Sequence, residues 1–422
     1  MKTTIIKTLV TIIFLSVHSL FVFSQTNVSG GIYTNTTWTL ANSPYIIVDT
    51  TVVFPNVTLT IEPGVVVKFE NNKSLEIRQG SLIAIGTIND SITFTSNSSS
   101  PTVSSWDKIY LHLSLPSQFA YCNFRYGTYA LNNVSIPNLT TIKNSKFEYN
   151  YAGLFSDDYF NYCDVDSSVF TNNNYGIKYQ SDIRIDHSII SNNQTGLRIP
   201  VRGIIKNCII DSNSVDGIWT YDNDSIFNCE IVSNGIGLEC GSTDGPNIIT
   251  NNVFENNNIG IKLHWKIDEI YCNRICNNIQ YDLYYDVSLY NMTIPNNYWC
   301  STDSATIASH IYDGYDNIGL ALISFMPIDT TQCFLITSIN EPVDKFDFTF
   351  YPNPIFNSFT FSMSENFLHS ELKIFNLLGE LEYSINIEQQ KTAIDISELS
   401  NGVHIVQLIS GKNIKRKNLI KQ

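Results

Sequence analysis

The sequence is short of what most other fold classes require. Beyond the first two dozen of its 422 residues it has no apolar run near the roughly 20 residues that a membrane-spanning helix needs. Lysine and arginine number 25 against 39 aspartates and glutamates, for a formal charge of -14. That deficit of positive charge argues against nucleic acid or an anionic membrane as a partner. Nine cysteines are too few for a disulfide scaffold in a chain this long. Helix formers are sparse from Asn144 to Leu283, where Asn, Ser, Ile and Tyr fill the intervals. Apolar residues are plentiful, at 43% hydrophobic and 12% aromatic, which supplies a large core and excludes a disordered chain. The length allows two or three domains.

Within that stretch one phrase returns seven times. It opens on Phe147, Phe170, Ile190, Ile210, Ile231, Phe254 and Ile275, at intervals of 23, 20, 20, 21, 23 and 21 residues. Three residues after each opener stands an asparagine: Asn150, Asn173, Asn193, Asn213, Asn234, Asn257 and Asn278. A glycine follows three or four positions later, at Gly153, Gly176, Gly196, Gly217, Gly237 and Gly260, and Tyr281 breaks that series. Behind each glycine comes Leu154, Ile177, Leu197, Ile218, Leu238 or Ile261.

A period near 21 confines the architecture to solenoids. A leucine-rich repeat needs a Leu-x-x-Leu-x-Leu frame, which is absent, whereas a coil of short parallel strands and tight corners fits. Stacked strands lie about 4.8 Å apart, so equivalent asparagines bond amide to amide from rung to rung, and Asn tolerates a left-handed corner. The asparagine column is therefore expected at a corner. Glycine offers a second place where φ turns positive, and the aliphatic residue behind it points inward. Burial of each such side chain is worth roughly 1.5 to 3 kcal/mol against about 1 for a hydrogen bond, so the aliphatic columns hold the coil and the ladder sets its register. Cys208 and Cys229 share a column with Ser145, Ser168, Ser188, Asn252 and Asn273. Their spacing permits a disulfide, and parallel side chains favour stacked thiols. Cys272 and Cys276 with His264 nearby make a poor zinc signal, and no metal site is expected.

Phrases such as Asn172 to Ile177 and Asn256 to Ile261 resemble right-handed parallel β-helix repeats of the pectate-lyase-like superfamily. The opening turns around Leu59 to Val65 and Gly80 to Thr87 resemble those of secreted bacterial β-helix proteins. Ser96 to Ser105 reads as an inserted loop. The coil is expected to close near Asn296 to Trp299, where Cys300 stands in the place of the family's usual glycine.

Met1 to Ser24 reads as a secretory signal peptide, with Lys2, Lys7 and an apolar run through Phe23. Residues 25–336 are then the β-helix and residues 337–345 a polar linker. From residue 346 to residue 422 the period gives way to alternating strands, expected to form a small antiparallel Ig-like β-sandwich in an all-β chain. Its landmarks are Tyr351 to Pro354, Leu372 to Asn376 with Gly379, Ile394 to Val406, and a basic end from Lys412 to Lys421. These resemble the C-terminal type A sorting domain of the type IX secretion system, with His404 where that family usually has Tyr. The resemblance implies recognition by the type IX machinery, export across the outer membrane, and a secreted, extracellular or outer-surface location.

The β-helix superfamily includes lyases, hydrolases and epimerases. Asp186-His187-Ser188 and Arg198 to Arg202 resemble two pectate lyase motifs, Asp-His-Ser and Arg-x-Pro-x-x-Arg, although the second is one residue short. They make Asp186, His187, Arg198 and Arg202 the catalytic candidates, with Ca²⁺ as cofactor only in that reading. His187 also shares a column with Asn207, Asn228 and Asn251, which explains it as a corner residue. Hydrolase carboxylates are scattered through turns at Asp164, Asp166, Asp211, Asp216, Asp222, Asp224 and Asp244, and the Gly-His-Gly and Arg-Ile-Lys phrases of pectin hydrolases are absent.

Alternation turns the residue two places after each glycine outward, placing Phe155, Lys178, Arg198, Trp219, Glu239 and Lys262 in one stripe. An aromatic ring flanked by cations suits stacking on sugar rings and pairing with uronate carboxylates. The sequence leans to non-catalytic binding of extracellular polysaccharide or another ligand on this face. The alternatives are a polysaccharide lyase and a structural stalk or adhesin.

Overall fold

The computed structural model describes residues 25–134, 139–159, 161–241, 247–267, 269–330, 333, 348–351, 355–363, 370–376, 380–410 and 413–421. The signal segment, residues 337–345, Asp244, Pro352 to Pro354, Gly379 and Lys412 lie outside them. The chain divides into two compact units, Met1–Thr337 and Ser338–Gln422.

In the first unit each turn of the coil adds strands to parallel ladders. One ladder of eleven strands runs without a break from Thr36–Trp38 to Glu269–Tyr271. A second stacks three-residue strands such as Val169–Thr171, Ile189–Ser191 and Ile209–Asp211. A third stacks Tyr175–Tyr179, Thr195–Val201, Asp216–Asp222, Ile236–Cys240 and Ile259–Leu263. The core lies between them, and the residue behind each glycine, Leu154 through Ile261, is fully buried as expected. Phe94, Phe124, Phe147 and Phe170 stack along the axis with centroids 4.3 to 4.9 Å apart.

The asparagine column is at a corner and forms a continuous ladder. The Nδ2 of each of Asn150, Asn173, Asn193, Asn213, Asn234 and Asn257 donates to the Oδ1 of the next asparagine at 2.9 to 3.1 Å. That Oδ1 also accepts the previous asparagine's backbone N–H at 2.9 to 3.0 Å. The left-handed residue, however, is the one before the ladder asparagine: Tyr149, Asn172, Asn192, Ser212, Ser233, Asn256 and Asn277 have φ of 56 to 59°. The ladder residue itself turns inward because its amide has backbone and neighbouring amides to satisfy there. Asp282 occupies the glycine place of the last regular turn, opposite Gly260, and its carboxylate accepts the N–H and Nδ2 of Asn278, ending the ladder. Tyr281 instead continues the column of Ile259.

The glycine column also has a different cause from the expected one. Its φ values are not positive. A Cβ on Gly217 would meet the carbonyl oxygen of Gly237 at 2.7 Å and Asn234 Nδ2 at 2.9 Å, so glycine is needed for rung-to-rung approach. Gly217→Ala is expected to cost about 3 kcal/mol or more through backbone displacement, read as a fall in thermal midpoint. An unchanged midpoint would show that the rungs move apart freely.

Two disulfides that the sequence did not reveal, Cys272–Cys333 and Cys276–Cys300, fasten the closing segment to the last turns. Cys300 has φ 56°, taking the left-handed position where glycine was expected. Cys208 and Cys229 are free and buried, their thiols bonded to the carbonyls of Lys206 and Phe227. In the second unit a three-stranded antiparallel sheet and a four-stranded one share a core that includes Phe359 and Phe361 from the first and Leu372, Ile374, Val406 and Leu408 from the second.

Candidate ligand-binding face

The outward stripe is a single register column. Tyr110, Asn132, Phe155, Lys178, Arg198, Trp219, Glu239, Lys262, Tyr284 and Tyr312 are successive cross-strand partners in the third ladder. A second register column runs beside it at the position before each glycine, carrying Tyr129, Ala152, Tyr175, Thr195, Asp216, Ile236 and Ile259.

The cations on this face divide into two kinds. Lys262 Nζ is 3.0 Å from Glu239 Oε1, which also receives His264 Nε2 at 2.6 Å, and His264 Nδ1 meets Asp286 at 2.9 Å. Lys178 and Arg198 instead lie over aromatic rings. Lys178 Nζ is 5.5 Å from the Phe155 ring and 5.3 Å from that of Tyr175, and Arg198 Cζ is 4.4 Å from the Trp219 ring. Among the described residues neither has a carboxylate within ion-pair distance. Elsewhere on the coil Arg125 and Lys146 share Glu148, Arg202 takes Asp182, Lys206 takes Asp186 and Arg274 takes Glu255. Arg184 lies over the Tyr162 ring in the same way, but Lys178 and Arg198 are distinguished by standing on adjacent rungs of one face, in a chain with an excess of 14 acidic charges.

Asp216 adjoins them. It is 7% exposed and its Oδ1 has no hydrogen-bond donor. Burial, then the charge of Glu239 and a hydrogen bond shared with it, push this carboxyl up to about 7, with Lys262 and Arg198 partly opposing. Burial also raises Glu239, but the hydrogen bonds from His264 and Lys262 outweigh it and hold the group below its ordinary value. Sequence reasoning passed over Asp216 as a turn residue. Its signal was legible, because it is the one acid in the column before the glycines and its copy has an extra residue between Asn213 and Gly217. His264 figures in the sequence only beside Cys272 and Cys276 as a poor zinc signal, whereas in the fold it bridges Glu239 and Asp286, and Asp286 was missed.

The four catalytic candidates do not form one site: of them, Asp186 and His187 touch, with His187 Nδ1 2.8 Å from Asp186 Oδ1, and Arg198 and Arg202 lie on other elements. Asp186 ends a strand of the eleven-stranded ladder, and His187 is the left-handed corner residue after it with φ 46°, in the column of Asn207, Asn228 and Asn251. Burial raises Asp186, but the hydrogen bonds of Lys206 and Asn207 and the charge of His187 outweigh it and leave the carboxyl below its usual range. Arg198 is on the third ladder, and Arg202 is a left-handed corner residue held by Asp182 and the carbonyl of Tyr159. Glu255, Cys276 and Cys300 form the only cluster of potential metal ligands among the described residues, and a disulfide takes both sulfurs.

Comparison with protein families assigns both units. Residues 117–254 match the right-handed β-helix region, and residues 349–422 match the secretion system C-terminal sorting domain. The chain is a right-handed β-helix protein with a type IX sorting domain. A search of the curated proteins returns no match. The sorting domain sends the β-helix through the type IX machinery to the cell surface or the extracellular space. In that domain His404 is buried between the Glu382 carboxylate and the Ser400 carbonyl, at 2.6 and 2.8 Å.

Proposed function

We propose that the β-helix binds an acidic extracellular polysaccharide along the face carrying Lys178, Arg198 and Trp219, without cleaving it. One observation carries this reading: two cations on adjacent rungs have aromatic platforms and no carboxylate of their own. A cation already paired with a carboxylate gains little by exchanging it for another, whereas an unpaired one gains a charge-assisted bond. The rings of Tyr175 and Trp219 beside those charges, with Tyr221 stacked next to Trp219 at 6.3 Å between centroids, offer apolar faces for sugars. Residues 1–24 fit as the export signal, residues 25–336 as the binding coil, residues 337–345 as the linker and residues 346–422 as the sorting domain.

The test is retention of the purified chain on immobilised polygalacturonate and on a neutral galactan. Salt-sensitive retention on the acidic polymer alone is expected. Equal retention on both, or on neither, contradicts the reading.

A further inference from the structure

Asp216 belongs to the rung of Trp219, and the neighbouring rung carries Arg198. Asp216 pairs with Thr195 of that rung, and Arg198 stands three residues further along the same strand, so Arg198 and Asp216 are diagonal neighbours across adjacent rungs. Three charged groups act on Asp216. Arg198 lies on the strand Thr195–Val201, Glu239 on Ile236–Cys240 and Lys262 on Ile259–Leu263. His264 and Asp286 act through Glu239, whose oxygen is already occupied by Lys262 and His264. Glu239 therefore has its own cations, and Arg198 is the remaining one for Asp216. Yet Arg198 rests on Trp219, and the Asp216 Oδ1 is buried without a donor. An ionised carboxylate in that position is a costly arrangement, and a carboxyl that keeps its proton is not.

We infer that Asp216 is a protonation-controlled competitor for Arg198, which leaves the guanidinium to an anionic ligand while un-ionised and withdraws it when ionised. The inference rests on the acidic-polysaccharide reading for its ligand and on the Arg198, Trp219 and Asp216 geometry for the switch itself. Burial and the Glu239 charge place the change near neutrality, so the face holds its ligand in mildly acidic surroundings and releases it in alkaline ones.

Two readouts separate the switch from the ligand. The first needs no glycan: the fluorescence of Trp219, taken as the difference between the full chain and its Trp219→Phe variant, is followed from pH 5 to pH 9. Departure of the guanidinium from the indole gives a transition near pH 7 that Asp216→Asn abolishes. The second is calorimetric titration with oligogalacturonate at constant ionic strength. Wild-type affinity is expected to fall about tenfold between pH 5.5 and pH 8.5, the scale of one charge contact, with Asp216→Asn binding equally at both. A fluorescence transition without binding at any pH supports the switch and removes the glycan reading. A flat Trp219 signal, or a transition that persists in Asp216→Asn, overturns the inference whatever the glycan does.

Discussion

Replacing Asn213 by alanine lowers the unfolding free energy of the β-helix by about 3 to 5 kcal/mol, among the largest effects of any single polar substitution in this chain. The side chain has four partners. Its Nδ2 donates to the Ile190 carbonyl at 3.1 Å and to Asn234 Oδ1 at 2.9 Å, and its Oδ1 accepts the N–H and the Nδ2 of Asn193, both at 3.0 Å. Truncation leaves a buried N–H and a buried carbonyl on the preceding rung without these partners, at about 1 to 3 kcal/mol each, and opens a cavity beside them. The ladder is interrupted in its middle, so loss of cooperativity between the two halves accompanies the loss of stability. Denaturant unfolding checks both. A cost below 1 kcal/mol would mean that water replaces the amide and that the ladder is not what fixes the register.

The second large effect is a pH dependence. Asp224 is 1% exposed. Its Oδ1 accepts the Gly203 N–H, its Oδ2 accepts the Thr220 hydroxyl, and burial pushes the carboxyl up to about 7 despite those bonds. Its ordinary value is 3.8, so the folded chain holds this proton more tightly than the unfolded one does. The contribution to stability is complete below about pH 4 and is lost as pH rises to about 7, amounting to about 4 kcal/mol in order of magnitude. An amide removes that loss. One rung on, Asn247 holds the equivalent position and its Oδ1 accepts the Asp224 N–H at 2.8 Å, so the site accommodates asparagine. Asp224→Asn is therefore expected to match the wild type at pH 4 and to exceed it by several kcal/mol at pH 8. Parallel stability curves for the two proteins across that range would contradict the assignment.

Much of the fold was legible because a solenoid repeats its physics. The interval near 21 residues located the rungs, and the aliphatic residues behind the glycines were correctly placed in the core. Two details were not legible, since single residues do not reveal which neighbour imposes a constraint. The left-handed corner belongs to Asn172 and Ser212, not to the ladder asparagines beside them, because only the next rung's amide decides which of the two turns inward. The glycines answer to a carbonyl about 20 residues away and not to their own φ. The disulfides escaped notice for a similar reason, as Cys272 and Cys333 are 61 residues apart and share no repeat position. On the candidate face the stripe followed from alternation alone. Which cations are free did not, because pairing depends on contacts between rungs: Lys262 found Glu239, and Arg198 found a ring.

The most direct test of the binding account is calorimetric titration of oligogalacturonate into the wild type and the Lys178→Ala, Arg198→Ala double variant at pH 5.5 and low salt. Loss of two charge-assisted contacts predicts an affinity at least about a hundredfold weaker in the variant, with its thermal midpoint unchanged because neither cation holds a carboxylate of the coil. Equal affinity in the two proteins would place the ligand elsewhere and refute this face as the binding site.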